Sequence, residues 1–387
     1  PLRSSAASDV YKRQVITDTY EANPFKNLGM DNPNGSQRYY IGHVNWTGFN
    51  GLIEYTGSDK FSAVLQVGTS SQDYQWEGFY TAAPDTKSRV VTVNGGYIKG
   101  GANYRANDNS NFFFNVGQIM RPPSFDGVFP NADYDFEEAD EILNESFTSF
   151  ELGYGFRSSN FKGTINAYHT VWGDRTLRRS TSIDDQGVRI IYSGVEQTHQ
   201  GVEAEMTWYP SSRLRVKGMA SLGDWKYTKN FQGDAYFIDN NQPAGTTGTL
   251  YLDGVKIGDA AQTVLYLGLD YKLSSKLSVD VDMMSFDNLH GRFGPLDSEF
   301  NSDNNRGSIK LPSWGTTDLG ATYRFTLLGY ETRARLNINN LFDKEYLSQS
   351  QTNFHNDGGR TWNGVNVENN VYFGKGTTWN LGLNINF

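Results

Sequence analysis

Few residue types in this 387-residue chain could do covalent or metal chemistry, and those few are not spaced for it. Cysteine is absent, which removes thiol nucleophiles, zinc–thiolate sites and disulfides. His43, His169, His199, His290 and His355 show no metal-ligand spacing. No Ser-His-Asp order, phosphate loop or dinucleotide fingerprint stands in a strand-to-helix setting. The expectation is therefore no catalytic residue, no metal and no cofactor. The segment DYDFEEADE (133–141) has carboxylates enough for calcium but lacks the ordered spacing and glycine turn of a calcium loop, so it reads as a solvated loop. Three Asn-X-Ser/Thr triplets, at Asn34, Asn45 and Asn144, are expected by chance in so Asn-rich a chain. What remains is non-covalent chemistry. Trp76, Phe129, Tyr134, Tyr236, His290, Phe293 and Trp362 fall in polar, irregular stretches. Flat rings there can stack on sugars and chelates, or equally pack one stretch against another.

The elements that must position these residues are constrained by composition. Hydrophobic content is 37% and mean hydropathy −0.58. No run approaches the roughly 18 apolar residues of a membrane helix. A membrane β-barrel stays open, because its lipid-facing residues are diluted one in two by polar ones. Aromatic content of 14%, with 41 Gly and 23 Tyr, suits interfacial girdles and many tight turns. A formal charge of −9 argues against nucleic acid as a partner. Residues 1–14, PLRSSAASDVYKRQ, have no apolar signal core and resemble translated adaptor sequence, so the fold is read from 15–387.

Alternation of apolar and polar residues marks thirteen strands: 38–54, 58–73, 90–105, 109–120, 146–157, 160–175, 195–209, 213–228, 261–272, 275–287, 315–326, 331–348 and 377–387. In the last, Trp379, Leu381, Leu383, Ile385 and Phe387 share one face and Asn380, Gly382, Asn384 and Asn386 the other. Connections alternate between about 2–4 residues and about 16–32 residues, short then long without exception. An up-and-down meander sends every second connection to the same end. The chain thus reads as an all-β, antiparallel, transmembrane barrel with tight periplasmic turns and long extracellular loops. Thirteen is odd, whereas single-chain bacterial barrels are even-numbered, so the expectation is an incomplete barrel lacking its N-terminal part.

The segment LNINNLFDKEYL (336–347) resembles the C-terminal signature of TonB-dependent outer-membrane receptors. So, in order and spacing, do LPSWGTTDLGATYRF (311–325), NESFTSFELGYGFRSSNFKGTINAYHTVWGDR (144–175), GVEAEMTWYPSSRLRV (201–216) and the terminal Phe387. The resemblance implies a barrel of about 22 strands plugged by an N-terminal domain, of which about 13 are present. It implies import of a scarce ligand such as an iron chelate, cobalamin or an oligosaccharide, with energy from the inner-membrane TonB complex. It also implies that Phe387 is a signal for the outer-membrane assembly machinery and that lipid surrounds the wall. The plug and the TonB-contacting segment have no counterpart in these residues. Arg213, Arg215, Lys217, Glu203, Glu205, Arg333 and Arg335 fall on the lumen side, where they guide a ligand or simply solvate the wall and contact the plug. A passive porin without a plug is the alternative. A β-propeller is disfavoured, since no repeat of about 40–50 residues is present.

Overall fold

The structure is a computed structural model, and it describes residues 40–78, 86–130, 138–139, 141–183, 186–237, 242–294 and 297–386. Thirteen strands form one antiparallel meander: β1 (Tyr40–Tyr55), β2 (Phe61–Gly78), β3 (Val91–Asn107), β4 (Ser110–Arg121), β5 (Glu145–Arg157), β6 (Phe161–Ile183), β7 (Gln186–Trp208), β8 (Leu214–Tyr227), β9 (Thr263–Lys272), β10 (Leu277–Asp287), β11 (Trp314–Leu327), β12 (Tyr330–Asn339) and β13 (Thr378–Asn386). Each pairs with the strand before and the strand after it in that order. All thirteen expected strands are present. β1 and β13 share no ladder among the described residues, so the wall does not close on itself.

Register shows which side each residue faces. Leu383 pairs with Ala334, Ala334 with Tyr323 and Tyr323 with Leu277. The same parity runs back through Leu269–Val216, Ala204–Ala220, Ile165–Ala204 and Phe150–Val116 to Leu65–Ile53. This continuous face is apolar and largely exposed, as a lipid-facing wall must be. At its turn end it carries an aromatic row. Tyr55 meets Phe61 at 6.1 Å, Phe112 meets Tyr154 at 5.1 Å, Phe156 meets Phe161 at 6.1 Å and Tyr323 meets Phe325 at 5.6 Å. Rings with a polar edge or large apolar area gather at a membrane interface, and this girdle marks one.

The opposite face is polar and cross-linked. Arg335 forms a bidentate pair with Asp280, and Lys217 reaches Asp282 at 3.2 Å and Asp270 at 3.5 Å. Arg215 donates to Asp270 at 2.9 Å. These pairs span β8, β9, β10 and β12, so of the charges read from the sequence as lumen residues, Arg215, Lys217 and Arg335 brace the wall on its inner side.

Several boundaries differ from expectation, for identifiable reasons. β2, expected to end at 73, runs on to Gly78 by pairing with the start of β1, so Trp76, read as a loop residue, lies in a strand. The stretch 176–194, read as a long loop, is instead a continuation of β6 and β7, each 23 residues long. Its Val188, Ile190 and Tyr192 alternate and are buried. They are held by a neighbouring hairpin, Phe231–Phe237 paired to β7 and to Pro243–Leu250, inside what was read as a 32-residue loop. β12 was expected to reach residue 348 but stops at Asn339, because Asn340 turns into the left-handed region (φ 48°). Asn tolerates that conformation better than most residues.

The apolar cores lie above the wall. One gathers Val188, Ile190, Tyr192, Val195, Tyr227, Phe231, Leu250, Leu252 and Phe300. A second holds Tyr74, Trp76, Val91, Val128 and Phe129, and a third Leu289, Ile309, Leu311, Leu347 and Val365. All three sit on the long-loop side. The loops are therefore a folded layer with interiors of their own.

Candidate functional site

Where the inner face of the wall rises toward the loops, its polar residues give way to rings. Phe147 and Trp172, opposite each other on β5 and β6, stack at 5.0 Å and 26°. The Arg175 guanidinium lies 3.9 Å from the Trp172 ring centre, and Arg121 lies 5.4 Å from that of Phe147. Glu145 binds Arg121 and accepts from the Trp172 indole at 3.3 Å. Two strands further on, on β8, Trp225 donates to the Tyr168 hydroxyl of β6 at 2.9 Å and packs against His199 of β7 at 5.5 Å. The His199 Nε2 is buried without a hydrogen-bond partner. On β10 and β11, Phe286 stacks on Trp314 at 4.1 Å, and Trp314 stacks on Tyr346 at 3.8 Å.

The rings stand in three clusters on the inner face beneath the loop layer, and the one around Trp172 and Arg175 is a shelf of flat rings and guanidinium groups. Such a surface suits a planar or anionic solute. Aromatic faces stack, and cations over them attract negative charge at a desolvated edge. Sequence reasoning did not single out Trp172 or Trp225, because they sit in strands, nor Trp314, which fell just before the expected strand 315–326. A signal was present, since each lies out of phase with the apolar band of its own strand.

The loop aromatics named from sequence divide into three groups. Trp76 is 3% exposed and Phe129 0%, both in the second loop core. A ring so enclosed has no face to offer, so these two hold loops together. Phe293 packs 4.1 Å from Phe300 and 5.7 Å from Tyr227, and Trp362 meets Phe373 edge-on at 5.1 Å. Both are half-buried, as is Tyr236 on the extra hairpin. Tyr134 and Phe387 lie outside the described residues, as does most of 133–141. His290 is half-buried with Nδ1 3.2 Å from the Ser308 carbonyl, and burial pushes its pKa down. Among the described residues, no three His, Asp or Glu side chains gather to hold a metal ion.

One loop contact is strongly pH-dependent. Glu299 receives Arg306 through its side chain at 2.7 and 3.1 Å and through its backbone N–H at 2.7 Å. The Arg306 hydrogen bonds pull the Glu299 pKa down to about 2 from an ordinary 4.5. A depressed carboxyl stabilises the loop fully above the unfolded value and loses that effect as pH falls through the folded one. Amide exchange at Phe300 and Arg306, corrected for its intrinsic pH dependence, should therefore accelerate between pH 4.5 and 2. In Glu299→Gln that extra acceleration should disappear.

Comparison with known proteins places this geometry. The family model "TonB dependent receptor-like, beta-barrel" matches residues 5–341. No curated protein sequence matches the chain. Among solved structures, the chain is similar to the siderophore receptor PiuA from Acinetobacter baumannii, with TM-score 0.63 and 13% identity over 90% of this chain and 44% of that one. It is similar to the ferric citrate transporter FecA, with TM-score 0.59 and 10% identity over 91% and 46%. It is also similar to the FrpB iron transporter from Neisseria meningitidis, with TM-score 0.58 and 14% identity over 89% and 45%. At these identities the likeness is one of fold, and the chain spans less than half the length of each. With the sequence signature at 336–347, the thirteen-strand meander and the family match over most of its length, the chain belongs to the TonB-dependent receptor β-barrel family.

Proposed function

We propose that this chain forms part of the wall of an outer-membrane receptor that imports a scarce ligand with energy delivered by the inner-membrane TonB complex. The observation that carries this reading is the inward shelf around Trp172 and Arg175, roofed by a loop layer with its own apolar cores. A shelf inside a wall and below folded loops captures a solute before passage; a passive pore has less use for one. Of the three similar structures, one is a siderophore receptor, one an iron transporter and one a ferric citrate transporter, which supports an iron chelate over cobalamin or an oligosaccharide. The half-buried Tyr236, Phe293 and Trp362, with His290, would add contacts from above. Phe387 would serve the outer-membrane assembly machinery.

The test is uptake of ferric citrate, a ferric catecholate, cobalamin and maltodextrin by cells carrying the complete receptor, with and without TonB. One iron chelate entering only when TonB is present is the expected result. Uptake of all four regardless of TonB would replace this reading by a passive porin. Trp172→Ala should raise the half-saturating concentration about tenfold, since a stacked ring with its cation contributes roughly 1–2 kcal/mol. An unchanged value would remove the shelf from the ligand's path.

Sidedness follows from the same reading. Cysteines placed at Asn301 or Asn356, both in the loop layer, should react with a membrane-impermeant thiol reagent on intact cells. Cysteines at Ser159, Ser211 or Ser274, all in tight turns, should react only after the outer membrane is opened. Labelling of the turn positions on intact cells would invert the topology.

A further inference from the structure

Arg175 sits between two irregularities of the β6–β7 ladder, one between Trp172 and Arg175 and one between Arg175 and Leu177. In an unbroken strand, residues three apart face opposite sides. Here Trp172 pairs with Gln197 and Arg175 with Val195, so an extra residue on β6 brings both to the inner face. The irregularity includes Asp174, whose φ of 57° lies in the left-handed region. That conformation costs a residue with a side chain free energy, and such outliers gather at binding sites. The bulge also parts the cation from the acids beside it. Asp174 accepts from the Ser146 hydroxyl at 2.7 Å, and Ser146 shares the outward face of β5 with Phe150. Glu196, next to Val195, accepts from the Thr228 hydroxyl at 2.6 Å.

The other charged groups of the shelf are engaged. Glu145 holds both Arg121 and the Trp172 indole N–H. The Arg175 guanidinium lies over Trp172 but makes no hydrogen bond or ion pair with any described residue. Lack of an ion pair is ordinary for an exposed cation, which water solvates. Arg175 is partly buried, and the other cations at that depth behave differently. Lys217 reaches Asp282 at 3.2 Å, Lys226 reaches Asp224 at 3.3 Å, and Lys256 and Arg335 hold Asp224 and Asp280. Arg178, on the other face of β6, has the charge of Asp126 near it. A guanidinium partly stripped of water costs free energy until an anion meets it.

We propose that Arg175 selects the charge of the incoming solute by receiving one of its carboxylates on the free edge of the guanidinium, so that the substrate class is a carboxylate-bearing iron chelate. A guanidinium keeps its N–H groups in one plane, and a carboxylate meets that plane with two parallel hydrogen bonds. Two cations in the same neighbourhood, Arg121 and Arg292, are taken by Glu145 and Asp259. One positive charge is therefore on offer, which matches a carboxylate better than a phosphate dianion. With the Trp172 ring already engaged by Phe147 and by Arg175, a ligand here meets a charged fork before it meets a bare ring. The proposal rests on the uptake reading in taking an iron chelate as the solute.

The test is binding on ice, where uptake stops, to cells carrying the complete receptor. Ferric citrate, a neutral ferric trihydroxamate and a ferric tris-catecholate, each with radioactive iron, are the probes. Arg175→Gln should raise the half-saturating concentration of ferric citrate roughly 10- to 100-fold, the effect of losing a charged hydrogen-bonded pair. Arg175→Lys should recover only part of that loss, because an ammonium keeps the charge without the fork. Arg178→Gln should leave binding unchanged, and the heat-modifiable folded band should persist in all three variants. In the unsubstituted receptor the trihydroxamate should not displace ferric citrate. Ferric citrate binding that is absent, or that Arg175→Gln leaves unchanged, would overturn the proposal, as would equal displacement by the trihydroxamate. A tris-catecholate that binds more tightly than ferric citrate would overturn the carboxylate class. Entry is then read on the same cells after warming. TonB-dependent entry of a chelate to which Arg175→Gln is indifferent removes the carboxylate contact and leaves the uptake reading standing. Arg175-dependent binding of ferric citrate, with entry indifferent to TonB, supports the contact and removes active transport.

Discussion

Leu383→Arg in the complete receptor should lower folding stability by about 2–4 kcal/mol, whereas Asn384→Arg, one residue on, should cost far less. Leu383 is 58% exposed in β13 and continues the outward row with Ala334 and Tyr323. An Arg there must carry its guanidinium through hydrocarbon or thin the bilayer around it. Asn384 pairs with Arg333 on the polar face, where water reaches both. Leu336→Arg and Asn337→Arg on β12 repeat the contrast, with one added cost, because Asn337 donates to Asn380 at 2.8 Å. Urea titration of the heat-modifiable band in lipid vesicles measures all four. Equal losses for Leu383→Arg and Asn384→Arg would reverse the assignment of the two faces.

The second large effect belongs to the loop layer. Phe300 is 0% exposed and lies against Phe293, and its carbonyl accepts from the Tyr251 N–H at 2.9 Å. Truncating a buried Phe removes its burial and leaves a cavity, at a cost of about 3–5 kcal/mol. Phe300→Ala should open 228–262 and 288–313 to protease and speed amide exchange at Val188 and Tyr192, with the wall still heat-modifiable. Loss of the folded band as well would mean that loops and wall fold as one cooperative unit.

The difference between those outcomes explains what was legible in the sequence. Lipid imposes period two on every strand, so Leu381, Leu383 and their like revealed the wall residue by residue. Tight turns such as 158–160 and 273–276 fixed the meander. The hairpin at 231–250 was not legible, because it is a strand only by virtue of pairing with Ile190 and Tyr192, which themselves looked like loop. Trp172 and Trp225 were visible as strand residues, but their role depends on which rings meet across the register. Cross-strand neighbours needed register too. Lys60 and Arg105 are 45 residues apart in sequence, and only the β2–β3 pairing sets them opposite each other. Trp76 and Phe129 show the converse, since composition made them candidates for stacking and tertiary packing enclosed them.

Asn340 ends β12 and is itself 5% exposed. Its side chain accepts from the Lys344 N–H at 2.8 Å and donates to the carbonyls of Lys344 and Lys375 at 3.0 and 3.1 Å, while Thr377 donates to its carbonyl at 2.7 Å. Asp343 accepts from the Thr377 N–H at 2.8 Å. The excursion between β12 and β13 is therefore tied shut at its base, much as a drawstring closes the neck of a bag. Residues 347–373, which pack into the third loop core with Leu289, Ile309 and Leu311, rejoin the wall through this neck. Since chain closure costs only about 0.6 kcal/mol per doubling of length, inserts or whole grafts placed there would leave the wall's register untouched. Such a neck lets the outermost part of the receptor be rewritten without renegotiating the part that meets the membrane.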